Sequence, residues 1–164
     1  MFPEFHETIT VIGVDMHVVA GKLALVAVSG RDHFSIVLDA QEHHHLDVRQ
    51  QMIAAEHAAR HWGAEYIVAE SSPIIHQILR HEKPSMKWVI VDKPRKRIEG
   101  LQEIATKIGA GAILFSPHTE ELKREIKHIM TPSFPKDLYD ALMNALDCIK
   151  KHSLVTSIVK IPGI

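Results

Sequence analysis

The sequence predicts an α/β domain built on a central mixed sheet, with a three-stranded antiparallel meander first, alternating helices and strands after it, and helices on both faces. Three apolar runs of strand length open the chain, and the period then switches from two to near 3.6 at about residue 46. Carboxylates also stand at the ends of apolar runs, where a strand emerges from a core.

Ile9 to Val14 is apolar except for Thr10, the pattern of a central strand buried on both faces, and places Asp15 at its carboxyl end. Lys22 to Val28 and His33 to Leu38 are two further β-rich runs, with Ser29-Gly30-Arg31-Asp32 as turn chemistry between them. Leu46, Met52, Ile53, Ala55, Ala59 and Trp62 then recur at helical spacing, and Gly63 is the stop. Tyr66 to Ala69 is a short strand ending in Glu70. Ser71-Ser72-Pro73 caps a helix from Ile74 to His81. Trp88 to Val91 is a strand, followed by a helix from about Arg95 to Ile108. Gly109-Ala-Gly111 breaks that helix, and Ala112 to Phe115 is a short edge strand. Ser116-Pro117 starts a helix to about Met130, and the last helix runs from Lys136 to about His152. The domain is expected over residues 1–153, with 154–164 a peripheral tail.

With 164 residues, 46% hydrophobic and 24% charged, the chain supports one globular core and excludes a disordered or solenoid protein. Cys148 is the only cysteine, so no internal disulfide forms and a reducing compartment is expected. The apolar runs are too short and too interrupted for a membrane span, and the first residues lack the basic and apolar regions of a signal peptide. A soluble, intracellular protein is the expectation.

The net charge of −1 averages two unlike halves: residues 1–82 hold 5 Lys and Arg against 11 Asp and Glu, and residues 83–164 hold 14 against 9. Lys83, Lys87, Lys93, Arg95, Lys96 and Arg97 fall within fifteen positions, a cluster suited to a polyanion and also compatible with a solvated helix face. Of these, Lys93, Arg95, Lys96 and Arg97 are the best candidates for phosphate contact, since such donors match phosphate oxygens and release counterions. Thirteen histidines raise the question of zinc, above all His43-His44-His45. Consecutive residues cannot all face one ion, and no spaced partner completes a zinc pattern. Trp62 and Trp88 lie in apolar-periodic contexts and are expected in the core.

Asp15, Glu70 and the pair Asp137 and Asp140 lie on three separate elements. A carboxylate at the end of an apolar strand is costly to desolvate, and a shared divalent cation offsets that cost. Asp137 and Asp140 are three apart on a helix and project from one face, so either or both can reach such a cation. Each acid also has a bland reading as turn, dipole or capping residue.

This order of elements and acids resembles the ribonuclease-H-like nuclease fold. Val-Ile-Gly-Val-Asp15, Ile-Val-Ala-Glu70-Ser-Ser, Val-Asp92-Lys93-Pro-Arg95-Lys-Arg97-Ile, Gly111-Ala-Ile-Leu-Phe115 and Phe134-Pro-Lys-Asp137-Leu-Tyr-Asp140-Ala-Leu resemble the nuclease domain of the large terminase subunit of tailed bacteriophages. The resemblance implies a magnesium- or manganese-dependent endonuclease on double-stranded DNA, with two ions held by Asp15, Glu70, Asp140 and Asp137. Asp15 would bridge the ions, and Asp140 would be the preferred helix ligand. It also implies partners: a packaging ATPase domain, a small terminase subunit and a portal, in the cytoplasm of a host bacterium. No Gly-x-x-x-x-Gly-Lys-Ser/Thr loop occurs here, so on this reading the chain is one domain of the motor.

Two departures stand out. Lys136-Asp137 replaces the adjacent acids of many members, so Lys136 is a candidate phosphate contact or simply a solvated lysine. Met16-His17-Val18 replaces small residues, which puts His17 near the acids, where assistance to water or phosphate competes with a loop histidine of no consequence. The acids also resemble RuvC-type Holliday junction resolvases, although the Lys93 to Arg97 segment and the strand after Gly111 fit the terminase better, and a catalytically inactive ribonuclease-H-like module that binds DNA or a partner is the reading from a different class.

Overall fold

A computed structural model describes residues 8–31, 33–92 and 97–159. In chain order the elements are β1 (Ile9–His17), β2 (Lys22–Arg31), β3 (Phe34–His43), α1 (Val48–Trp62), β4 (Tyr66–Glu70), α2 (Pro73–Glu82), β5 (Trp88–Val91), α3 (Arg97–Gly109), β6 (Ile113–Phe115), α4 (Glu120–Lys127) and α5 (Asp137–Val159). The six strands form one mixed sheet in the order β5-β4-β1-β2-β3-β6. β1, β2 and β3 pair antiparallel, as the meander predicts, while β4 joins β1, β5 joins β4 and β6 joins β3 in parallel.

The central strands alternate between two apolar layers, as the period of two requires. Val11, Val26 and Val68 face one layer with Ile104 of α3, Leu122 of α4 and Leu138, Leu142 and Ile149 of α5. Ile12, Val14, Leu25 and Ile67 face the other with Ala55, Ala58 and Ala59 of α1 and Ile75 of α2. Helices therefore cover both faces of the sheet. Trp62 and Trp88 pack against the second layer.

Local chemistry sets several boundaries. The carboxylate of Asp47 accepts from the Gln50 N–H while the Gln50 side chain accepts from the Asp47 N–H, a reciprocal cap that starts α1. Gly63 ends α1 with φ 63°, the left-handed turn that glycine adopts without a Cβ clash. Ser72 Oγ accepts from the Ile75 N–H, and Pro73 occupies the first turn of α2.

Several boundaries differ from those the sequence predicts, among them β3, which runs to His43 rather than Leu38. β1 extends past Asp15 to His17, because its pairing continues to His17↔Lys22. β2 continues through Ser29, Gly30 and Arg31 to the pair Arg31↔Phe34, so these residues are strand and the reversal follows them. α4 begins at Glu120, where Thr119 rather than Ser116 precedes the first turn; Ser116 Oγ instead donates to the carbonyls of Val37 and Leu38. α5 is helical to Val159, so residues 154–159, expected as tail, continue the last helix.

One contact determines where α5 lies. Gly13 sits on the α5 side of β1, and a Cβ there would collide with the carbonyl oxygen of Ala141. The missing side chain lets the helix backbone settle directly onto the central strand. Asn144, also buried, donates from Nδ2 to the Val14 carbonyl at 3.0 Å and ties the two elements together one turn further on.

Candidate metal centre

Residues two apart on a strand share a face, so Gly13, Asp15 and His17 point to the same side of β1. Because α5 rests on Gly13, its first turn reaches the end of that row. The Nε2 atom of His17 lies 3.0 Å from Asp15 Oδ2 and 3.1 Å from Asp137 Oδ1. One ligand atom from each of Asp15, His17 and Asp137 falls within 4.8 Å of the others, and no other such group of three occurs among the described residues. The donor set fits a divalent cation: two carboxylate oxygens and an imidazole nitrogen, partly withdrawn from solvent.

The remaining predicted residues divide. Glu70 ends β4 two residues beyond the parallel pair Gly13↔Val68, level with Asp15 on β1. Asp15 and Glu70 line a common hollow of about 200 Å³ together with Ser71 and Ser72. The Glu70 carboxylate stays outside the three-atom group. Asp140, one turn along α5, is engaged by Arg97, whose Nη2 lies 2.9 Å from Oδ2. Lys136 donates from Nζ to the carbonyls of Phe134 at 2.8 Å and Thr131 at 3.0 Å, which commits its ammonium to the preceding loop. Lys93, Arg95 and Lys96 lie outside the described residues. The His43 to His45 run holds no three-ligand group; His43 Nε2 is instead 3.0 Å from Gln41 Oε1.

Two further residues meet the acids at the centre, His17, already placed near them by the sequence, and Lys22. His17 is the last residue of β1 rather than a loop residue. Lys22 sits opposite it across β1 and β2 and reaches Asp137 Oδ2 at 3.1 Å. A longer β1 is the readable signal for His17, since Met16-His17-Val18 continues the alternation. Nothing in the sequence marks Lys22, because its partner is 115 positions away.

The electrostatics follow from this packing. Burial pushes the Asp15 carboxyl up to about 6, and the nearby charges of Asp140 and Asp137 add to the rise, while His17 opposes it. Burial draws the His17 imidazole down, but the attraction of Asp15 and Asp137 outweighs that and holds it above its ordinary value. The hydrogen bond to Asp137 holds Lys22 above its usual range, and the one to Asp140 does the same for Arg97. The chain thus brings three aspartates together and neutralises them in part with its own cations.

Known structures share this architecture. The chain is similar to the large terminase nuclease from thermophilic phage G20c with bound magnesium, at 13% identity and a TM-score of 0.66 over 85% of this chain and 81% of that one. The fold is that of a large terminase nuclease domain. The human cytomegalovirus terminase nuclease domain, soaked in manganese, matches at 13% identity and a TM-score of 0.56 over 92% of this chain and 88% of that one. The large terminase of another thermophilic bacteriophage matches at 11% identity and a TM-score of 0.62, over 85% of this chain but 39% of that longer one. No family model matches the sequence, and no curated protein does. The resemblance to terminase nucleases drawn from the motifs is therefore borne out in the fold, at identities too low for the sequences to be matched directly. Among the described residues no helix is long and apolar enough to cross a membrane.

Proposed function

We propose that this chain is a metal-dependent endonuclease that cuts double-stranded DNA, acting as the nuclease domain of a large terminase during viral genome packaging. The observation that carries the reading is the meeting of Asp15, His17 and Asp137 at the carboxyl end of the central strand, in a fold like that of terminase nucleases. Asp15 and Asp137 would hold one magnesium or manganese ion, and Glu70, across the hollow it shares with Asp15, would help hold a second. Bound ions of this kind supply a nucleophilic water and stabilise charge on the leaving oxygen.

The chain's own groups have distinct tasks. Asp15 brings a carboxylate whose burial makes it costly to ionise alone, so it gains most from a cation. Lys22 holds Asp137 Oδ2 and so turns Oδ1 toward the centre. Lys93, Arg95 and Lys96, directly before Arg97, are suited to the phosphate backbone, which confers affinity without reading bases, and Arg97 would join them on release from Asp140. Cutting position would then be set by an ATPase domain, a small terminase subunit and a portal, in the host bacterium's cytoplasm.

Incubating the protein with supercoiled plasmid and Mg2+ or Mn2+ should give nicked and linear DNA, abolished by chelation. Asp15→Asn should remain folded and lose cleavage by at least about 100-fold, since it removes the charge that supports the ion. Cutting that survives chelation, or wild-type rates in a folded Asp15→Asn protein, would defeat the reading. Cleavage confined to four-way junctions would favour a resolvase instead.

A further inference from the structure

We infer that His17 Nε2 is itself a metal ligand, and that it biases the centre toward transition cations, Co2+ and Zn2+ above all and Mn2+ after them, over Mg2+. The inference rests on the metal-centre reading above and adds to it a nitrogen donor that a carboxylate-only site lacks.

The spacing supports a shared ion. Donors bound at about 2.1 Å in neighbouring positions of an octahedron lie about 3.0 Å from each other. His17 Nε2 stands 3.0 Å from one carboxylate oxygen and 3.1 Å from the other, so one nitrogen occupies the place between both acids. The same two distances are hydrogen-bond lengths, so the imidazole sits between both acids where an ion would place it.

Its surroundings fix that position from three sides. His17 is the last paired residue of β1, opposite Lys22, so its backbone is held by the sheet. The fully buried Gln51 of α1 donates from Nε2 to the His17 carbonyl at 3.4 Å and to the Leu46 carbonyl at 3.0 Å. Lys22 holds the far oxygen of Asp137, which leaves only Oδ1 facing the imidazole. A ligand set held in place in this way suits an ion that tolerates a nitrogen donor.

The choice of metal follows from donor chemistry. Imidazole is a good ligand for zinc, cobalt and similar ions, whereas Mg2+ favours oxygen and keeps several of its waters. Removing His17 should therefore cost the transition ions more than magnesium.

The test is titration calorimetry of the whole chain with Mn2+, Co2+ and Mg2+ separately, for wild type, His17→Ala and Asp15→Asn. Wild type should bind Mn2+ and Co2+ more tightly than Mg2+. His17→Ala should weaken Mn2+ and Co2+ at least about 10-fold and Mg2+ less than about 3-fold, with its melting temperature checked. Pulsed electron paramagnetic resonance of wild type loaded with Mn2+ should show coupling to a nitrogen nucleus, a readout that survives even if His17→Ala fails to fold. An equal loss for all three ions, no loss, or no nitrogen coupling overturns the inference. In those cases, loss of all binding in Asp15→Asn leaves the metal-centre reading intact. Absence of metal binding by wild type overturns both.

Discussion

Helices cover both faces of the central strand, yet only one face carries Asp15 and His17. On the α1 side β1 presents Ile12, Val14 and Met16, full side chains that pack against an alanine-rich helix. On the α5 side the same strand presents Val11, Gly13 and Asp15, and at Gly13 nothing stands between the two backbones. The helix that comes closest is the one that brings Asp137 to Asp15. Site assembly here depends less on the acids than on the absence of a side chain two residues before the first of them. The α1 side instead leaves a groove of about 530 Å³ against β3, lined by His43, Ile53, His57 and His61, with no group of ligands drawn together.

The most severe way to break this contrast is Gly13→Ala. The added carbon meets the Ala141 backbone, which cannot turn aside as a flexible side chain would, so α5 must lift from the sheet. A loss of at least about 3 kcal/mol is expected, at the upper end of overpacking costs, together with loss of metal binding. Denaturant unfolding and calorimetry check both, and a stable Gly13→Ala protein that binds metal would show that close approach is not what builds the site.

A second, smaller effect sharpens the account of the α5 side. Glu125 of α4 is 3% exposed and accepts from the Tyr139 N–H at 3.0 Å in the first turn of α5. Burial pushes its carboxyl up to about 7 from 4.5. An acid whose folded value is raised favours the folded state at low pH, and that advantage is lost as pH rises from about 4.5 through about 7. Glu125→Gln keeps the acceptor and removes the titration. It should match wild type near pH 4 and be more stable by roughly 2–3 kcal/mol near pH 8. A difference independent of pH would exclude ionisation of Glu125 as its cause.

The α1 side should respond least. Asp47→Ala removes the side-chain acceptor of the reciprocal cap and should cost about 0.5–2 kcal/mol, with metal affinity unchanged. A large change in metal affinity would mean that α1, through Gln51, governs the centre more strongly than α5 does.

How far the molecule is legible in its sequence follows from the range of the interactions involved. The meander, β4, α2 and the caps at Gly63 and Ser72 rest on neighbours within a few residues, and the fold read from them is the fold observed. Local pattern puts the reversal after β2 too early because Gly30 looks like a turn residue, whereas the sheet uses it where a Cβ would meet Phe34 and Ser35. Asp15 and the helix acids are visible as candidates, since acids beside apolar runs are conspicuous. Their pairings are not: His17 with Asp137, Lys22 with Asp137 and Arg97 with Asp140 join residues between 43 and 120 positions apart, and no local pattern encodes them. For the same reason Arg97 reads in the sequence as a free phosphate contact but closes on Asp140 in the fold.

Those built-in pairs have a consequence for how the domain is made. Three aspartates gathered at one sheet edge would repel one another and oppose folding if left bare. With Lys22 and Arg97 already set against Asp137 and Asp140, the newly synthesised chain carries its own counterions and need not wait for a dissolved one. On the proposed metal-centre reading, folding and loading would then be separate events.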